Sequence, residues 1–212
     1  MTDAPAASRR FVPANLDVAD WAQLEPLFTE LHDRSLDRVE DLEAFLRDFS
    51  ELTAVVAEFA SRRMIEHSCH TDDPELEKAY LHVVQELQPK MQPWGDKLHR
   101  RLLDSPALPE LLDRQPKLKM LEREWRSDVE LFREANVPIF ADLKTLASEY
   151  DKLIGAMLVT YNGKEQTLQQ LARYQQETDR GVREETWRLT TDRRLLDREA
   201  IESIFEKQLD HR

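Results

Sequence analysis

The side chains best suited to chemistry lie between His67 and Asp73, in the run His67-Ser68-Cys69-His70-Thr71-Asp72-Asp73. His67 and His70 are three residues apart and share one face of a helix, with Cys69 and Asp72 close by. A zinc site needs three or four such ligands converging tetrahedrally. Here they crowd one short stretch, and no matching pair occurs elsewhere. The alternative reading is a helix end, where histidine sits well near the negative pole of the backbone dipole. Cys69 is the only cysteine, so no intramolecular disulfide can form. As a nucleophile it would need a histidine from a distant part of the fold, and it reads as a free thiol.

Other reaction classes fail on spacing. Asp72-Asp73 would need a further acid one turn on to make an aspartate-rich magnesium site, but position 76 is Leu76. Asp73 before Pro74 reads instead as a helix cap. None of the six histidines has a glutamate three residues before it, which excludes the Glu-x-x-His pairs of di-iron bundles. No G-x-S-x-G, P-loop or G-x-G-x-x-G occurs.

The elements that must position these residues are helical by pattern. Asp20 can cap a first helix with apolar Trp21, Leu24, Phe28 and Leu31, in which Pro26 introduces a bend. A second, from Val39 to about Ser68, carries Val39, Leu42, Leu46, Phe49, Leu52, Val56 and Phe59 at intervals of three or four. A third begins at Asp73-Pro74 and extends past Leu102, with a kink expected at Pro89 and Pro93. The second and third pair as a long antiparallel hairpin. Residues 104–116 form a short helix between turns. Helices follow over Leu118–Phe132 and, after a break at Ala135–Pro138, over Phe140–Met157.

Leu158–Tyr161 is β-prone, Asn162-Gly163 signals a type I′ turn, and Lys164–Thr167 returns. Thr167 can cap a short helix through Leu168, Leu171 and Tyr174. Asp179 can cap a last helix running unbroken through Trp187, Leu196, Ile201 and Phe205 to Leu209. The expected fold is therefore all-α, built of long antiparallel helical hairpins with one small β-hairpin near 158–167. Residues 1–15 read as a flexible leader, 16–157 as a helical lobe, and 158–212 as the hairpin and the helices after it.

Composition agrees with long, solvent-edged helices: 34% of residues are charged, 41% hydrophobic, and only 4 are glycine. The net charge of −12, from 42 acidic and 30 basic residues, repels phosphate backbones and argues against a nucleic-acid partner. The N-terminal residues have no apolar signal core and no run is apolar enough to span a membrane, so the expected compartment is the cytoplasm.

Two stretches resemble oligoendopeptidase F-like zinc metallopeptidases, relatives of thimet oligopeptidase. One is Arg10-Phe-Val-Pro-Ala-Asn-Leu-Asp-Val-Ala-Asp-Trp-Ala-Gln-Leu-Glu-Pro-Leu-Phe28. The other runs from Glu149-Tyr-Asp-Lys-Leu-Ile-Gly-Ala-Met through Val159-Thr-Tyr-Asn-Gly-Lys-Glu-Gln-Thr-Leu to Asp179-Arg-Gly-Val-Arg-Glu-Glu-Thr-Trp187. The last segment follows the "D-R-x-x-R-E-x-x-W" passage that precedes the family's catalytic domain.

The resemblance implies the N-terminal lobe of an enzyme that cleaves short peptides in a channel between two largely helical lobes. Its expected partners are its own C-terminal catalytic domain and, in the complete enzyme, short peptides. In that family H-E-x-x-H binds zinc, with its Glu as general base. This sequence contains no H-E-x-x-H. No catalytic, cofactor-binding or metal residue is therefore carried over, and zinc is expected only in the absent catalytic domain. Gly163, Asp179, Arg180 and Arg183 match family positions in structural roles: positive φ for Gly163, a cap for Asp179, ion pairs for the arginines. The competing reading is a non-enzymatic helical module that binds a partner.

Overall fold

Apolar residues spaced three and four apart fold into the helices expected of them. In the computed structural model, which describes residues 9–211, α1 spans Trp21–Asp33 and α2 spans Val39–Cys69. Asp20 caps α1 by accepting the Ala22 N–H at 3.0 Å. After α2, Asp73 accepts from Glu75 N at 2.9 Å and Leu76 N at 3.2 Å and starts α3, Pro74–His82. The part of the expected leader on residues 1–8 lies outside the described residues. From Arg10 the chain is tied down: Glu51 of α2 takes the backbone N–H groups of residues 10–12, and Val12 is buried.

The chain divides into two compact units. The first holds Met1–Ile65 and Ala79–Pro138. Beyond α1 and most of α2 it contains α4 (Gln88–Leu103), α5 (Leu108–Arg114) and α6 (Lys119–Leu131). Its core follows the expected stripes in part: on α2 Val39, Leu42 and Leu52 are buried as expected, but Phe45 and Val55 join them while Leu46, Phe49, Val56 and Phe59 are only half-buried. Leu24, Leu31, Leu42, Phe45, Leu52, Leu98, Leu102 and Leu111 have no solvent exposure, and each such side chain contributes roughly 1.5–3 kcal/mol by leaving water. Ser105 donates to the carbonyl of Leu36 at 2.6 Å while Phe49 meets His99 at 5.8 Å, so α4 runs antiparallel to α2. Trp21, Phe28 and Trp94 stack in sequence at 5.9 and 6.1 Å, fastening α1 to α4.

The irregularity expected at Pro89 and Pro93 sits one turn earlier. Val83–Leu87 forms a π-helical turn in which the Gln88 N–H reaches back to the Val83 carbonyl, and Pro93 lies inside regular α4. Pro89 has no N–H to continue the α-helical ladder, and the preceding turn widens to accommodate it.

The second unit holds Glu66–Lys78 and Ile139–Arg212. It contains most of α7 (Asn136–Gly155), then β1 (Leu158–Tyr161), β2 (Lys164–Thr167), α8 (Leu168–Leu171), α9 (Arg180–Leu196) and α10 (Arg198–Asp210). The strands pair antiparallel, Leu158 opposite Thr167 and Tyr161 opposite Lys164. Asn162 at φ 54° and Gly163 at φ 72° close them in the mirror-image turn that matches strand twist. Thr167 caps α8 in a reciprocal box with Gln170. Met157, Leu171 and Thr186 are completely buried here.

The last helix is two helices rather than one. At Asp197 the backbone leaves helical geometry (φ −102°, ψ 15°), and α10 starts at the next residue. The Asp197 carboxylate is held by Arg193, and its N–H turns back to the Arg194 carbonyl at 3.2 Å, tightening the last turn of α9. An aspartate able to bind its own preceding turn ends a helix without glycine or proline.

The fold is all-α, of packed antiparallel helices with one small β-hairpin. Among the described residues no helix is long and apolar enough to cross a membrane.

Candidate functional site

His67, Cys69 and His70 do not converge. His67, on the last turn of α2, is 4% exposed, and its Nε2 shares a 2.9 Å hydrogen bond with Ser148 Oγ on α7. Cys69 and His70 are exposed. Among the described residues no group of three or more His, Cys, Asp or Glu side chains is arranged to hold a metal ion. Zinc therefore does not fit this stretch, because the best ligand is turned inward and already hydrogen-bonded. Asp73 is occupied as the cap of α3.

The Ser148–His67 pair has the chemistry of a nucleophile and its base, and sequence reasoning missed it because 81 residues separate the two. Both side chains are more than nine-tenths buried, so no substrate carbonyl can reach the hydroxyl. The pair works as a polar fastener. It helps attach residues 66–78 to α7. Lys152 Nζ donates to Glu77 at 2.7 Å. A Cβ at Gly155 would lie 3.2 Å from Thr71 Oγ1, so the small residue permits that approach.

The motif residues near the C-terminus group around α9. Gly163 takes the positive φ of the hairpin turn. Asp179 accepts the Gly181 N–H at 2.7 Å and caps α9. Arg183 makes no ion pair among the described residues. Its guanidinium instead donates to the carbonyls of Glu177 and Thr178 at 2.6 and 2.9 Å, clamping the chain that enters the helix. Arg180 is exposed and has no ion pair among the described residues. Gln175, Arg180, Arg183, Glu184, Trp187 and Arg188 line an open groove along this helix.

Helix α9 has two distinct faces. Thr186 is fully buried and hydrogen-bonded to Gln175 at 2.7 Å, with Val182 and Leu189 on the same inner side. Arg180, Glu184, Trp187, Arg188 and Leu195 fall within about 100° of one another on the outer side. Trp187 is 57% and Leu195 58% exposed.

No curated protein matches the chain. Three solved structures share its fold at 18–22% identity. A structure of PZ peptidase A with an inhibitor aligns with TM-score 0.83 over 95% of this chain and 36% of its own. A structure described as an oligoendopeptidase F from Bacillus anthracis str. Ames aligns with TM-score 0.84 over 96% and 38%. Another described as an oligoendopeptidase F, from crystals grown by microfluidic seeding, gives 0.83 over 96% and 36%. The chain thus spans little more than a third of the proteins whose fold it shares. The family model for the peptidase M3 N-terminal domain matches residues 11–132, more than half of the sequence, and the chain belongs to that family.

Proposed function

We propose that this chain is the N-terminal lobe of a zinc-dependent oligopeptidase of the oligoendopeptidase F type. In this reading it forms a wall of the peptide channel that admits short unfolded peptides and excludes folded proteins. It does not hydrolyse them itself. Its polypeptide partner is the catalytic domain, which carries zinc on H-E-x-x-H. The observation that carries the reading is the family match over residues 11–132, together with a fold that covers only 36–38% of the matched structures. The lack of H-E-x-x-H in the sequence supports the division of labour.

The second reading is a helical module that binds another protein. It is favoured by apolar side chains left exposed on α6, namely Met120, Leu121 and Leu131.

The intact mass of the product in the source cell, captured with an antibody against this chain, separates the two. A product much heavier than 24.9 kDa that cleaves a short quenched peptide, loses that activity to a chelator and spares a folded protein supports the first reading. A product of 24.9 kDa that cleaves nothing refutes it and leaves the partner-binding module.

A further inference from the structure

The inference here rests on the lobe reading and concerns where the rest of the polypeptide attaches. We propose that the outer face of α9, carrying Arg180, Trp187, Arg188 and Leu195, is the docking surface for the catalytic domain of the same polypeptide, which meets it with an apolar patch rimmed by carboxylates.

Three observations converge on this face. Trp187 and Leu195 present large apolar surface to solvent on a stripe whose opposite side is fully packed by Thr186. A lone exposed leucine is unremarkable, but a tryptophan and a leucine two turns apart on one stripe form a patch of the kind that partners cover. Second, the stripe offers cationic side chains on an acidic protein. It holds Arg180 and Arg188, the latter beside Glu184 and Asp192, within a protein of net charge −12. Arg188 is already paired with Glu184 at 2.8 Å, and Arg183 is spent on backbone carbonyls, so Arg180 remains to receive a partner carboxylate. Third, the matched structures devote more than 60% of their length to polypeptide that this fold does not cover. Among the described residues five exposed large hydrophobics lie on α9 and α10, at Trp187, Leu195, Leu196, Phe205 and Leu209.

A carboxylate on Arg180 sets register and an apolar contact on Trp187 supplies the buried area. Nucleic acid is disfavoured as occupant, since the surrounding −12 charge repels it.

Hydroxyl-radical footprinting of Trp187 and Leu195, on the product the source cell makes and on the 212-residue chain at two concentrations, tests the proposal. Labelling of Trp187 is expected to fall by roughly tenfold in the longer product, as at the centre of a dry interface. Arg180→Glu in that product is expected to restore much of it while leaving the helix content unchanged. Equal labelling in the longer product and the 212-residue chain overturns this inference and leaves the lobe reading intact. A source-cell product of only 212 residues overturns both. Protection that grows with the concentration of the 212-residue chain alone assigns the face to a second copy and overturns the proposal.

Discussion

Glu51, midway along α2, accepts the backbone N–H of Val12 at 2.8 Å, and the same carboxylate takes the N–H groups of Arg10 and Phe11 at 3.1 Å. One side chain thus ties an entering strand of backbone to the first core, at the point where Val12 becomes buried.

Glu51→Gln keeps the shape but removes the charge that strengthens these bonds. Partial burial acts to raise the carboxyl pKa, yet the hydrogen bonds from Val12, Arg10 and Phe11 outweigh it and hold the group below its usual value. A depressed folded pKa means stabilisation present above the unfolded value of 4.5 and lost as pH falls below it. Urea unfolding at neutral pH is expected to show a loss of about 1 kcal/mol in the variant, after allowance for solvent screening. The difference should shrink at acid pH; a constant difference across pH would refute the account.

His99 of α4 lies edge-on to Phe49 at 5.8 Å and against Trp125 at 6.2 Å. Burial pushes its pKa below 6.5, and the nearby Asp128 and Asp96 only partly oppose this. Because the folded pKa is the lower one, the contribution of His99 to the stability of the first unit is fully present above about pH 6.5 and is lost as pH falls through the window beneath it. An NMR titration of the imidazole checks the sign, and a midpoint above 6.5 would sink the prediction.

Phe45 has no solvent exposure in the first core. Phe45→Ala is expected to cost about 3–5 kcal/mol, from lost burial and the cavity left behind. Chemical denaturation reads this directly. A loss under about 1 kcal/mol would mean that neighbouring side chains collapse into the space.

Ser148→Ala withdraws the hydroxyl from His67 Nε2 inside the second unit. The expected loss is about 1–3 kcal/mol, the penalty for a buried polar atom deprived of that partner. Thermal unfolding of Ser148→Ala, His67→Ala and the double variant should reveal coupling between the two. Zinc content should be equally near zero in the wild type and in His70→Ala; stoichiometric zinc lost in that variant would restore the metal reading.

Gly163→Ala places a Cβ on a residue at φ 72°. The cost is expected to be about 1 kcal/mol of strain, concentrated in the hairpin. Amide exchange at Tyr161 and Lys164 should quicken more than exchange in α7. A uniform change would point to a global effect instead.

What could be read from the chain alone was local. Spacings of three and four along Leu42, Leu46, Phe49 and Leu52 specify a helix, because helical geometry repeats every 3.6 residues, but packing buries Phe45 fully and leaves Leu46 and Phe49 half-buried. Asp20, Asp73, Thr167 and Asp179 cap the helices they precede because the orphan N–H groups lie within two or three residues of each. Asn162-Gly163 closes a hairpin for an equally local reason. The break at Asp197 was also local, but it lacks glycine or proline and depends on Arg193 holding the carboxylate back along the helix. Tertiary structure alone decided that His67 turns inward to Ser148, leaving Cys69 and His70 in solvent, and that Glu51 reaches back to residues 10–12. It alone set which stripe of α9 is buried by Thr186 and which presents Trp187 to solvent. Such pairings join positions tens of residues apart, or choose between two faces of one helix, and they are settled by which apolar surfaces meet when the helices pack.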